Sequence, residues 1–204
     1  MPVRNIIFDL GAVLLDIDYN LTASAFKRLG LTSFDEIYSK KRQQHFFDDF
    51  EKGVMPEDVF REEIRRFLPP SVTDHQIDEA WNAMLIGLPQ GRKEWLRETG
   101  SRYRIFLLSN TNTIHVRGFT QLVGEDFTSL FEKAYFSCEM GMRKPDREIF
   151  EKVISENQLN VSETPFIDDS PQHVEGARQA GLTALHLMDG MRVEELMRAV
   201  GGWR

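Results

Sequence analysis

Cysteine is almost missing from this chain: Cys138 is the single example in 204 residues. An intramolecular disulfide is therefore impossible, no Cys/His group has zinc spacing, and a reducing, cytoplasmic setting is the expectation. Basic excess is missing too. Lys and Arg number 25 against 32 Asp and Glu, a net charge of −7. No overall field draws the protein to nucleic acid or an anionic membrane, and a small anionic ligand needs a local positive site. Long apolar runs are absent as well, and nothing reaches the length of a membrane span. The apolar stretch ending at Leu15 is interrupted by Asp9 and Gly11, and no small-residue cleavage site follows, so it reads as a strand rather than a signal peptide. Internal repeats and low-complexity tracts are also lacking. What remains, 41% hydrophobic and 28% charged residues, is an ordinary globular composition, long enough for one good core plus a smaller insertion.

The organising stretch is Ile6-Ile7-Phe8-Asp9-Leu10-Gly11. A β-branched and aromatic run that stops at a carboxylate reads as a buried parallel strand delivering Asp9 to its carboxyl end, the sheet edge where open α/β folds bind ligands. Helices then follow one another. Asp18 or Asn20 caps a helix over Leu21–Leu29; Ser33 or Asp35 opens one running towards Phe50; Pro56 begins Glu57–Phe67; and Thr73 or Asp74 caps a helix through Ile77, Ala80, Trp81 and Leu85. No strand is expected between Asn20 and Leu85.

Beyond Leu85 strands and helices alternate. Helices are expected over 88–100, 113–123, 145–156, 171–180 and 193–200, and strands over 103–108, 133–136, 165–167 and 183–187. Alternation implies an α/β fold with a Rossmann-like parallel sheet and right-handed crossovers. The helical stretch is too long for a crossover and reads as an inserted α-helical cap. The expected division is a catalytic core of residues 1–17 and 88–204 and a cap of residues 18–87.

Three strands end in polar residues: Asp9, Ser109-Asn110 and Asp168-Asp169. In a fourth segment, Gly141-Met142-Arg143-Lys144-Pro145, a lysine stands directly before a helix start. Carboxylates, a hydroxyl, backbone N–H groups and an ammonium on one sheet edge describe a metal-assisted phosphate site. Three carboxylates together need a cation, and an all-oxygen set suits Mg²⁺.

The order Asp9-x-Gly11, Ser109-Asn110, Lys144-Pro145, Asp168-Asp169 resembles the four motifs of the haloacid dehalogenase superfamily, among members with a helical cap between the first two. The phrases FDLGAVLLDID, LLSNTN, GMRKP and FIDDSPQHVEGA are similar to bacterial sugar-phosphate phosphatases and to the N-terminal phosphatase domain of soluble epoxide hydrolase. That resemblance implies a Mg²⁺-dependent phosphatase acting on a small phosphorylated metabolite, such as a sugar 1-phosphate. Asp9 would be the nucleophile that becomes an aspartyl-phosphate, and Lys144 would neutralise charge. Ser109 and the Asn110 N–H would bind phosphoryl oxygens. The metal would be held by Asp9, the Gly11 carbonyl and Asp169, with Asp168 in support.

One departure matters. The family's phosphatases usually carry a second aspartate, the general acid/base, where this chain has Gly11. Its loss forgoes an effect worth ~10²–10⁴-fold, which favours substrates with good leaving groups. His115 and His173 are candidate replacements, although each reads more readily as a hydrogen-bonded helix residue. In the cap, Lys40, Lys41 and Arg42 form a basic cluster, and His45, Phe46, Phe47 and Trp81 are candidate leaving-group contacts. Asp16 and Asp18 read as turn or cap residues. The alternatives are a metal-free 2-haloacid dehalogenase, disfavoured by paired Asp168-Asp169, and a catalytically weak phosphometabolite-binding or regulatory protein. Monomer and homodimer remain equally open.

Overall fold

The structure, a computed structural model, describes residues 2–31 and 45–199. Five parallel strands form the central sheet: β1 (Asn5–Phe8), β4 (Arg104–Ser109), β5 (Lys133–Phe136), β6 (Pro165–Asp168) and β7 (Thr183–His186), in the order β5-β4-β1-β6-β7. β1 is in the middle, hydrogen-bonded to β4 on one side and β6 on the other, which is why its four residues are all buried. Successive side chains point to opposite faces. Ile6 and Phe8 join one apolar layer with Leu107, Phe119 and Ile167, while Ile7 joins the other with Phe106, Phe150 and Phe166.

Helices 113–123, 133–136 as a strand, and the elements beyond 165 fall within a residue or so of where periodicity puts them. In the inserted segment the first helix begins two residues early, at Tyr19, and the helix from Glu57 ends at Arg65 rather than Phe67; beyond Leu85 two boundaries move. The helix expected from Leu88 begins at Arg92, because Pro89 and the left-handed Gly91 (φ 80°) hold the preceding residues in a loop. The helix after Lys144 begins at Arg147 rather than Pro145, with Asp146 at its cap position. Short 3₁₀ turns at Glu125–Leu130 and Val161–Glu163 and a one-turn helix at Ser137–Met140 were not expected. The expected extension of the last helix to Val200 lies outside the described residues.

Between β1 and β4 run the helices Tyr19–Arg28, His45–Glu51, Glu57–Arg65 and Asp74–Asn82. Asp18 caps the first by accepting the Asn20 N–H, and Thr73 caps the last in a reciprocal capping box with Gln76. They enclose an apolar cluster of their own around Phe26, Phe47, Phe50, Phe60, Ile64, Ile77 and Trp81, to which the sheet unit contributes Ile114. The residues Ser33, Asp35, Lys40, Lys41 and Arg42, and the side chain of His45, lie outside the described residues.

The expectation of helices alone through Leu85 is corrected. β2 (Asp16–Ile17) and β3 (Leu85–Gly87) pair antiparallel, and the Asp18 N–H donates to the Met84 carbonyl at 2.9 Å. The chain thus leaves and re-enters the sheet unit through a two-stranded stem, and Leu85 is a strand residue. Strands this short contain too few residues to display a period of two. Among the described residues no helix is long and apolar enough to cross a membrane.

Candidate active site

The carboxyl ends of β4, β1 and β6, adjacent in the sheet, carry the polar residues singled out by the sequence. Asp9 follows β1, its N–H bonded to the Ile167 carbonyl at 2.9 Å. Lys144 is fully buried, and its Nζ donates to Asp9 Oδ1 at 2.6 Å and Asp168 Oδ2 at 2.7 Å. Burial works against the ammonium, but two carboxylates at these distances outweigh it and hold the lysine charged.

The three acids do not behave alike. Burial opposes ionisation of Asp168, yet Lys144 and His173 hold its carboxyl well below the usual carboxylate range. Its oxygens are also taken up: Oδ1 accepts the Ser170 N–H at 2.8 Å, and His173 Nδ1 lies 3.0 and 3.1 Å from the two oxygens. Asp9 is the acid that bears the strain. Burial raises it, Lys144 pulls it back and Asp168 and Asp169 push it up again, leaving it at about 7. Asp169 is only partly buried, and its carbonyl faces His186 Nε2 at 2.9 Å.

Carboxylate oxygens of Asp9, Asp168 and Asp169 all lie within 4.8 Å of one another. Acids this close repel one another, and the clustered donors are all oxygen. The residues present therefore fit a hard divalent cation such as Mg²⁺. Gly11 follows in a turn that closes through a bridge to Leu15, and the next residue, Ala12, has a left-handed φ of 58°. A Cβ on Gly11 would come within 3.2 Å of Ile17 Cδ1.

Ser109 ends β4, nearly buried, with its Oγ 3.4 Å from the Asn110 carbonyl, too long for a strong bond. The Asn110 side chain has a role the sequence did not reveal. Its Oδ1 accepts the Lys144 N–H and its Nδ2 donates to the Lys144 carbonyl, both at 2.8 Å, clamping the backbone of the lysine. Gly176, in the FIDDSPQHVEGA phrase, lets its helix lie directly against Pro145 on the other side.

The two histidine alternatives fall differently. His173 braces Asp168. His115 belongs to a seam between the sheet unit and the inserted helices, where its ring stacks on Trp81 with centroids 5.0 Å apart. Asn112 fixes its tautomer. Asn112 Oδ1 accepts the His115 backbone N–H at 3.0 Å and Trp81 Nε1–H at 3.3 Å. The amide nitrogen of Asn112 then faces His115 Nδ1 at 3.1 Å, and the ring proton resides on Nε2, which donates to the Trp81 carbonyl at 3.1 Å. Burial pushes this imidazole down to about 4, against a small opposing effect of the Trp81 carbonyl.

Two of the aromatic candidates for leaving-group contact, Phe47 and Trp81, are corrected, while Phe46 is partly buried. Phe47 and Trp81 are buried in the helical cluster, stacked at 5.6 Å, and Phe46 stacks on Phe60 at 5.5 Å. Phe47 and Trp81 hold the inserted helices together. A residue of that segment whose charge registers at the site is instead Glu51, which feels Lys144. Burial likewise pushes the Cys138 thiol up to about 11, which suits an inert structural cysteine.

A parallel α/β sheet presenting three clustered acids and a buried, charged lysine at its carboxyl edge is the arrangement of an α/β enzyme whose site can hold a divalent cation and an anionic group. The particular family follows from comparison: the haloacid dehalogenase-like hydrolase model matches residues 6–187, and the chain belongs to that family. A D-ribitol-5-phosphate phosphatase of Bacteroides thetaiotaomicron is 27% identical over 192 residues, 92% of this chain and 93% of that protein. A HAD family enzyme from the same organism, solved as a complex with magnesium and inorganic phosphate, is 32% identical. It covers 96% of this chain and 100% of its own, with a TM-score of 0.87. A predicted HAD-like family hydrolase from Porphyromonas gingivalis is 30% identical, covering 98% and 99%, with a TM-score of 0.85.

Proposed function

We propose that the protein is a Mg²⁺-dependent phosphatase that hydrolyses a small phosphorylated metabolite through an aspartyl-phosphate on Asp9. The observation that carries this reading is the buried Lys144 ammonium bridging Asp9 and Asp168 at 2.6 and 2.7 Å, with Asp169 beside them. A metal-free dehalogenase site has no use for the pair Asp168-Asp169 at the end of β6. The similarity to a phosphatase and to a magnesium–phosphate complex supports the same choice.

In this reading residues 1–17 and 88–204 form the catalytic core and residues 18–87 the cap. Mg²⁺ would be held by Asp9, the Gly11 carbonyl and Asp169, with Asp168 in support, and when bound it supplies positive charge to phosphoryl oxygens. Asp9 attacks phosphorus with one carboxylate oxygen; the P–O bond to the leaving group breaks, and that oxygen departs with the bonding pair. Water then attacks the acyl phosphate, releasing inorganic phosphate and restoring the carboxylate. Lys144 offsets charge on the phosphoryl group, and Ser109 Oγ and the Asn110 N–H bind its oxygens. Asp168 keeps Lys144 charged and oriented rather than reacting. Sugar and polyol phosphates are the substrate class, as the named relative suggests.

The test is phosphate release from a panel of sugar, polyol and aryl phosphates, for wild type and Asp9→Asn, in Mg²⁺ and in EDTA. Activity that needs the metal and falls to background in the variant is expected. Turnover that survives Asp9→Asn would refute the covalent route, and metabolite binding without turnover would favour a binding protein.

A further inference from the structure

Arg143, the residue before Lys144, is not used by the chemistry above, yet it is only 15% exposed and ion-paired twice. Its Nη1 lies 2.7 Å from Asp48 Oδ1 and its Nη2 2.8 Å from Glu51 Oε2. Both acids belong to the inserted helix His45–Glu51. The end of that helix is seated on the sheet unit by further contacts. Ser137 Oγ donates to the Glu51 carbonyl at 2.6 Å and accepts the Thr111 N–H at 2.9 Å, and Lys52 Nζ lies 3.4 Å from Asp146. At Gly53 the backbone meets the Cys138 carbonyl so closely that a Cβ would overlap it.

We infer that Arg143 is a positioning residue: by pairing with Asp48 and Glu51 it ties the seating of the cap helix to the peptide that carries Lys144. The inference rests on the phosphatase reading of the site. Lys144 ends in a flexible stem, so its register with Asp9 depends on its backbone. Asn110 fixes that backbone from the β4 side. Arg143 fixes it from the cap side, through a guanidinium that hydrogen-bonds Asp48 and lies in ion-pair contact with Glu51. Burial of Glu51 raises the cost of losing this partner, because its carboxylate would then be left uncompensated. Lys144 is accordingly held in place while the cap helix is docked and loosened when it lifts.

Five proteins test this: wild type, Arg143→Met, the cap-side double variant Asp48→Asn/Glu51→Gln, the triple variant, and Arg143→Lys. Arg143→Lys is the conservative control. The readouts are kcat and KM on an aryl phosphate in Mg²⁺, together with hydrogen exchange across residues 45–51. Arg143→Met and the double variant should each lower kcat about 10- to 100-fold, as a small misplacement of a reacting group does, with a smaller change in KM. The triple variant should be no worse than either. Exchange across 45–51 should quicken in all three, and Arg143→Lys should recover part of kcat. Losses that multiply in the triple variant, or unchanged exchange, would overturn the inference. A wild type that releases no phosphate would count against the phosphatase reading alone, and the exchange data would then decide the link between Arg143 and the cap helix.

Discussion

His115 should stay neutral throughout the range in which an ordinary histidine titrates, and that neutrality should appear as stability. Its Nδ1 faces an amide N–H donor and its ring lies against Trp81, so a second ring proton has no acceptor and costs the stack its fit. With the folded value near 4 against 6.5 for the free side chain, the unfolded chain binds the extra proton first. The stabilisation is therefore fully present above pH 6.5 and is lost as pH falls towards 4. At 1.36 kcal/mol per unit the whole window is worth about 3 kcal/mol, and about 2 kcal/mol is already gone by pH 5. Urea unfolding of wild type and His115→Gln at pH 7.5 and pH 5, in EDTA, measures it. The variant should be less stable at pH 7.5 by about 1–2 kcal/mol for its lost hydrogen bonds, and that gap should close or invert by pH 5. Its kcat at pH 7.5 should fall only a few-fold. Stability curves that stay parallel, or an NMR titration placing this imidazole near 6.5, would refute the assigned tautomer. Loss of turnover in well-folded variant would make His115 the missing acid/base after all.

Two further outcomes follow from glycines at the site. With no carboxyl at position 11, rates across esters of graded leaving-group pKa should fall steeply as that pKa rises, and Gly11→Asp should flatten the dependence once Ile17 yields a few tenths of an ångström; a slope unchanged by the substitution would show that another group already donates the proton. Gly176→Ala, whose Cβ would overlap the Pro145 carbonyl and lie 2.9 Å from its Cβ, should destabilise by about 1–3 kcal/mol and lower kcat by displacing Lys144; thermal melts and turnover that match wild type would show that the helix can shift without moving the lysine.

The parts of this molecule that were legible in the sequence are those in which one short segment carries its own signal. β1 announces itself by the apolar run Ile6-Ile7-Phe8, buried on both faces and stopped by Asp9, and the helix over 113–123 by its helical spacing. The site acids were legible because each stands where an apolar strand stops. Contacts between segments were not. Nothing near position 110 indicates that Asn110 clamps a lysine 34 residues away, and nothing near Trp81 distinguishes an aromatic facing a substrate from one stacked under His115. The stem of β2 and β3 was lost for a different reason, since strands of two and three residues show no period.

The electrostatics explain why the lysine is so heavily braced. Burying an ammonium between two carboxylates repays its desolvation only if the geometry is kept, and removing one partner from such a group typically costs 3–5 kcal/mol. Lys144 meets that condition through Asp9 and Asp168 at its tip and through Asn110 at its backbone. Asp168 is in turn fixed by Ser170 and His173, so the bracing runs outward from the ammonium through acids and amides to the helix starting at Pro171. Asp9 alone is left short of compensation, its carboxyl raised by burial and by the neighbouring acids. A cation beside it would lower that value and keep the carboxylate form available for attack at neutral pH. The same arrangement that makes the metal-free site costly to fold thus makes it receptive to a metal and, in the proposed reaction, poised to use Asp9 as a nucleophile.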